Sequence, residues 1–500
     1  MSPNWNLEKA QHLLFRAGFG SRPQEIKEFA QLGLAGAIEA LLHGPTRTLP
    51  TPVWLEEDMA VDLHKLKTLG KEERQQQRMT QRMHVRDLVA SWVQFMIMTP
   101  TPADMLHERM VFFWHSHFAT SVQKVQAAPF IYSQLKRFHD LALGNFSDLL
   151  HAIIRDPAML RYLDNDQNRK GKPNENLARE LMELFSLGIG NYTEQDIHEG
   201  ARALTGWSIE RWNFQFRERQ HDNTPKTIFG KTGNWNGNDF VDLILEKPSC
   251  AEFLALKLWT YFANENPRET TIHDLAVAFR DAKYDIKSLL REIFSHPDFY
   301  ASEVMGTQIK SPIQLVVGTG RILGLTLSNR EFYERMLLMM GQVPYSPPNV
   351  KGWPGGHAWI DTSRLMTRYA FAEIIGEGTI PSEIDPRMKG DRELKHSEQR
   401  NEAMEMVRNQ KRNLGKGQHK SMFPSHLKVN LDATELIDSA TSPQEIVERL
   451  VQILLPVPAS HAETQLLAKT FEQHLAKASR GESLQKLIGK IMQLPAYQLC

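Results

Sequence analysis

Leu177, Leu181, Leu184 and Phe185 recur at the spacing of one helix face, and Gly188 and Gly190 follow at once. Apolar residues three and four apart line one side of an α-helix, and a glycine beyond the last turn ends it. The same pattern returns from Leu7 to Ala17, from Leu88 to Met96, from Phe130 to Leu143, from Asp239 to Phe299 and again after Lys310. Strand-like composition is confined to a short stretch near Phe214 to Arg217, inside a loop-like run. The expected fold is therefore mainly α: a multi-helical core with long irregular loops and a small C-terminal helical unit.

Five hundred residues exceed what one core usually organises. The composition predicts an N-terminal helical segment with a charged connection over 1–84, a helical core over 85–376, a charged linker or insertion over 377–429 and a C-terminal helical unit over 430–500. Lys+Arg and Asp+Glu balance at 59 each, so no global field recruits nucleic acid or an anionic membrane, and no nucleic-acid motif is present. The two cysteines, Cys250 and Cys500, offer neither a disulfide framework nor a CxxCH heme attachment. No apolar run is long enough to span a bilayer, and the N-terminus lacks the apolar core of a signal peptide, so a soluble, cytoplasmic protein is expected.

Chemistry-bearing residues gather in four places. On a helical wheel continued from Glu175 to Leu187, Glu180 falls between Leu184 and Leu187, inside the buried sector. A carboxylate there needs a partner, either a metal ion, an acid/base role or an arginine from a neighbouring helix. Arg179 and Glu183 are spaced as a surface pair. In MLHERMVFFWHSHF, His117 lies in the apolar arc, whereas His115 points the other way, beside Glu108, so a chelating HxH pair is discounted and Glu108 and His115 read as a partly exposed pair.

Asp164, Asp166, Asn168 and Glu175 carry calcium-loop spacing, but Arg169 occupies the turn position that needs glycine. A polar loop held by its own Asx side chains is the better reading. His221 and Asp222 stand together in a loop, where they would ligate a metal or relay a proton, or else organise that loop. The run from Pro344 to Asp361, rich in proline, glycine and tryptophan, predicts a rigid loop that walls a pocket or packs as structure.

The motifs FWHSHF, DPAMLRYLDN, NENLARELMELFSLG, ALTGW and PPNVKGWPGG together resemble DUF1800, a bacterial family of unknown function. The resemblance covers most of the chain and implies no established activity. Members of that family occur beside another uncharacterised bacterial family, which implies a bacterial protein partner. Two functions are therefore carried forward. The first is a metal-assisted enzyme, a hydrolase or oxidoreductase, with a divalent ion on His117, Glu180, His221 and Asp222 and with Glu180, His221 and Asp222 in catalysis. The second is a non-catalytic helical scaffold or binding partner.

Overall fold

The computed structural model describes residues 5–44, 47–61, 70–327, 331–378, 429–431, 434–437 and 440–500. The fold is mainly α, and the described strands form three two-stranded antiparallel pairs. The chain divides into two compact units, Met1–Gln308 with Val343–Trp353, and Ile309–Gln342 with Pro354–Cys500. The charged stretch expected as a linker, 377–429, lies outside the described residues except at its ends. Among the described residues no helix is long and apolar enough to cross a membrane.

The first unit is built around the helix Pro102–His117. Thr101 caps it by accepting the Asp104 N–H, Pro102 opens its first turn, and every residue from Ala103 to His115 is buried. A helix enclosed on all sides leaves its polar side chains no route to water, so each must be satisfied inside the protein. This overturns the expectation that Glu108 and His115 form a partly exposed pair. Both are buried, because helices and a loop cover the face opposite the apolar arc as well.

That loop is Val343–Trp353. Tyr345 stacks on Trp92 at 5.5 Å and Trp353 on Phe112 at 6.1 Å, and the Tyr345 N–H donates to His115 Nε2 at 2.9 Å. Gly352 has φ 82° and lies so close to the helix end that an added Cβ would sit 2.5 Å from the Ser116 carbonyl oxygen. The loop thus packs onto the helix as its cover.

Downstream, the Asp164 loop is organised by Asn168, as an Asx loop. Its Nδ2 donates to Asn165 Oδ1 and to the Ala201 carbonyl, and its Oδ1 accepts the Asn174 N–H. The next helix is shorter than its periodicity predicts, Asn176–Glu183 rather than Glu175 to Leu187. The N–H groups of Leu187 and Gly188 both turn back to the Met182 carbonyl, which closes the helix a turn early. Leu184 and Leu187 therefore leave the wheel on which Glu180 had been placed. Arg179 pairs with Glu194 at 2.8 Å and Glu175 at 3.3 Å instead of with Glu183.

Thr193 and Asp196 form the expected capping box of Glu194–Ala203. Trp207–Glu210 then pairs with Asn213–Phe216, and Lys226–Ile228 with Lys231–Gly233. In the second unit, Pro312–Ile322 is buried throughout. Thr362–Glu377 and Arg480–Met492 touch backbone to backbone, since a Cβ on Gly376 would lie 2.9 Å from the Gly489 Cα.

Candidate metal centre and polar cleft

His107 and Glu108 leave the central helix side by side, and His139 reaches them from the helix Ala128–Leu141. Among the described residues this is the one group of three or more His, Cys, Asp or Glu with ligand atoms all within 4.8 Å of one another. All three are buried, at 7%, 2% and 6% exposure.

The proton inventory is informative. The His107 Nε2–H donates to the His139 carbonyl at 2.9 Å, which leaves Nδ1 on the Glu108 side, 3.6 Å from Oε1. His139 Nε2 lies 3.2 Å from the same oxygen and is a buried atom without a hydrogen-bond partner among the described residues. The indole N–H of Trp92 occupies the other carboxylate oxygen, Oε2, at 2.9 Å. Burial alone would push the Glu108 carboxyl up, but the two imidazoles overcome it and hold it at about 2. The carboxylate is ionised at neutral pH.

The residues singled out from the sequence lie elsewhere. His117 ends the central helix among Phe113, Phe118, Phe185 and Phe253, and its Nε2 donates to the Phe185 carbonyl at 3.0 Å. Burial, with a smaller push from Lys257, lowers its pKa to about 3, and burial alone does the same for His115. Glu180 is half-buried. Its pKa is raised by burial and by Glu183, against the pull of Lys351 and Arg179, and its carboxylate makes no hydrogen bond among the described residues.

His221 and Asp222 stay neighbours but serve different contacts. The His221 Nδ1–H donates to the Thr205 carbonyl at 2.8 Å, leaving Nε2 without a partner among the described residues. Burial lowers its pKa, and Lys226 adds to the effect. Asp222 turns to Arg202 at 2.9 Å and to Thr224, and these bonds hold its carboxyl far below the usual range despite partial burial. Gly206 of the ALTGW turn makes this arrangement reachable: at φ 80°, its Cβ would lie 2.7 Å from the Arg217 carbonyl oxygen and 3.1 Å from the His221 nitrogen. His221 opens on a cleft of about 350 Å³ that Phe216 and Asn234 also line. No hydrogen bond or ion pair joins any of His117, Glu180 and the His221–Asp222 pair to another of these.

The model for DUF1800, a protein of unknown function, matches residues 12–499. The chain belongs to the DUF1800 family. No curated protein and no solved structure matches it. In this DUF1800 chain the motif containing FWHSHF ends the buried central helix, and PPNVKGW lies in the loop Val343–Trp353 that covers it.

Sequence reasoning missed His107 and His139. One signal was available, the charged run His107–Glu108–Arg109 between the apolar residues of a single helix. It was hidden by the assumption that such a helix has an exposed side. No spacing rule could supply His139, which joins the pair only through the packing of the next long helix.

Proposed function

We propose that this DUF1800 chain is a metal-assisted enzyme whose divalent ion is held by His107 Nδ1, Glu108 Oε1 and His139 Nε2. The observation that carries the reading is the close spacing of these three buried atoms. Separations of 3.2 and 3.6 Å bracket the edge of about 3.3 Å expected between ligands of a tetrahedral ion with bonds of about 2.0–2.1 Å. His139 Nε2, buried and without a hydrogen-bond partner among the described residues, is a donor atom that an ion would occupy.

The supporting contacts fit as well. Metal-bound histidines commonly donate their second ring N–H to a carbonyl, as His107 does, and ligating carboxylates are themselves hydrogen-bonded, as Glu108 is by Trp92. Two imidazoles and one carboxylate are the donor set of hydrolytic zinc sites and of non-heme iron oxygenases. Both classes keep a coordination position for water or substrate, so the reaction is a hydrolysis or an oxidation according to the metal. His117, Glu180 and Asp222 are not assigned to the ion, and His221 is discussed with its own cleft below.

The test is elemental analysis of full-length protein purified without a metal-affinity tag, before and after supplementation with zinc, iron(II) and manganese. About one ion per chain is expected, lost in Glu108→Gln and His139→Gln variants whose circular dichroism stays helical. Wild-type protein that neither contains nor acquires metal overturns the proposal. The deep burial of all three donors favours one second reading, an ion that fastens the two helices of a non-catalytic scaffold. In that case removing the metal lowers the melting temperature, and no metal-dependent turnover is found.

A further inference from the structure

The cleft beside His221 is built from a different chemistry and stands independently of the metal. Its apolar wall consists of the rings of Trp207, Phe214 and Phe216, of which Phe216 is 40% exposed. The rest of the lining is amides, a carboxylate, a guanidinium and the imidazole of His221, which packs edge-on against Phe216 at 5.4 Å. Two asparagines are committed to the fold: Asn236 caps the helix Gly237–Leu245, and Asn238 accepts from Arg155. The amides of Asn223 and Asn234, both exposed, have no partner among the described residues.

His221 supplies the second, separate observation. It is 95% buried by its 5% exposure, its Nδ1 is bound to Thr205, and its Nε2 has no partner among the described residues although the ring lines the cleft. A neutral imidazole held in this tautomer presents an acceptor. The free amides of Asn223 and Asn234 each present a donor and an acceptor side by side. A hydroxyl group is also both donor and acceptor, so such a lining satisfies a ligand rich in hydroxyls.

Charge narrows the class. Arg155 and Glu218 are the charged groups lining the cleft, one of each sign, so no net field selects an anion or a cation. Aromatic faces offer an apolar surface for the C–H face of a sugar ring, while the rim amides reach its hydroxyls. We propose that this cleft binds a neutral carbohydrate, with a sugar ring against Phe216 and its hydroxyls on Asn223, Asn234 and His221 Nε2.

The experiment is ligand-observed saturation-transfer NMR, followed by calorimetry, on the full chain with cellotetraose, maltotetraose and chitotetraose, and with tetragalacturonate as the anionic control. At least one neutral tetrasaccharide is expected to bind in the millimolar range or tighter, and the acidic one to bind more weakly. Phe216→Ala and Asn234→Ala, both at exposed positions, should each weaken binding about tenfold or more, a change of about 1.4 kcal/mol. Ile189→Ala, at an exposed position that does not line the cleft, should leave it unchanged. Because the variants carry surface substitutions, their helical spectra should match the wild type. Absence of binding by all three neutral sugars, preference for the anionic sugar, or binding indifferent to both cleft variants overturns the proposal. None of these outcomes depends on metal content, so the cleft and the metal centre fail or stand separately.

Discussion

The indole N–H of Trp92 donates to Glu108 Oε2 at 2.9 Å and thereby turns Oε1 toward His107 and His139. Trp92 comes from the helix Lys71–Ile97 and Glu108 from Pro102–His117, so the carboxylate is oriented by a neighbouring helix rather than by its own. A rotated carboxylate would bring a different oxygen, at a different angle, to the imidazoles.

Replacing Trp92 with Phe keeps most of the ring in place and removes only the donor. Metal affinity is expected to fall about tenfold or more, the usual effect of losing such an orienting bond. Competition against a chromophoric chelator measures it. An unchanged affinity means that Trp92 contributes packing alone.

Glu108→Gln and Glu180→Gln should differ sharply. Glu108 is 2% exposed and central to three contacts, so its substitution removes bound metal and destabilises the fold by about 3–5 kcal/mol. Glu180 is half-buried and without a hydrogen bond among the described residues, so its substitution stays within about 0.5 kcal/mol and leaves metal content unchanged. Urea titration and elemental analysis of the two variants separate the roles. Loss of metal from the Glu180 variant would move the site toward the segment after Asn176.

His12, His115 and His117 are held neutral by burial, with folded pKa values below the unfolded value of about 6.5, those of His115 and His117 near 3. The unfolded chain binds more protons below that value, so stability present above about pH 6.5 is lost as pH falls toward 3. The slope approaches about 1.4 kcal/mol per pH unit for each such histidine. Glu108, depressed to about 2, adds its own loss only below about pH 4.5. Urea midpoints at pH 7.5, 6.0 and 5.0 should therefore decline, and the His115→Phe and His117→Phe variants should each flatten the decline. A flat profile in the wild type contradicts the neutral assignments.

Gly352→Ala should destabilise the first unit by about 2 kcal/mol or more, because φ 82° is strained for alanine and the new methyl group would meet the Ser116 carbonyl at 2.5 Å. Gly355→Ala, where nothing lies within 4 Å of the added carbon, is the control and should be close to neutral. Thermal unfolding of both compares them directly.

The helices were legible because amphipathic periodicity and capping chemistry are local. Thr193 with Asp196 and Asp156 before Pro157 each mark a helix start with a few adjacent residues. Even there, one hydrogen-bond pattern escaped. The return of Leu187 and Gly188 to Met182 ended the helix at Glu183, so Leu184 and Leu187 no longer bracket Glu180 on one wheel, and Glu180 is half-buried.

The sequence by itself determined that this is a mainly α DUF1800 chain and where many of its helices begin and stop. The tertiary structure alone decided which polar residues matter, since a wheel describes a helix with one wet side and Pro102–His117 has none. Glu108 gained its neighbours through His139 on another helix and Trp92 on a third, contacts set by packing rather than by any spacing along the chain. His221 was recognisable as a candidate, yet only the fold engaged its Nδ1 with Thr205, turned Asp222 away to Arg202, and set the remaining ring nitrogen beside a cleft.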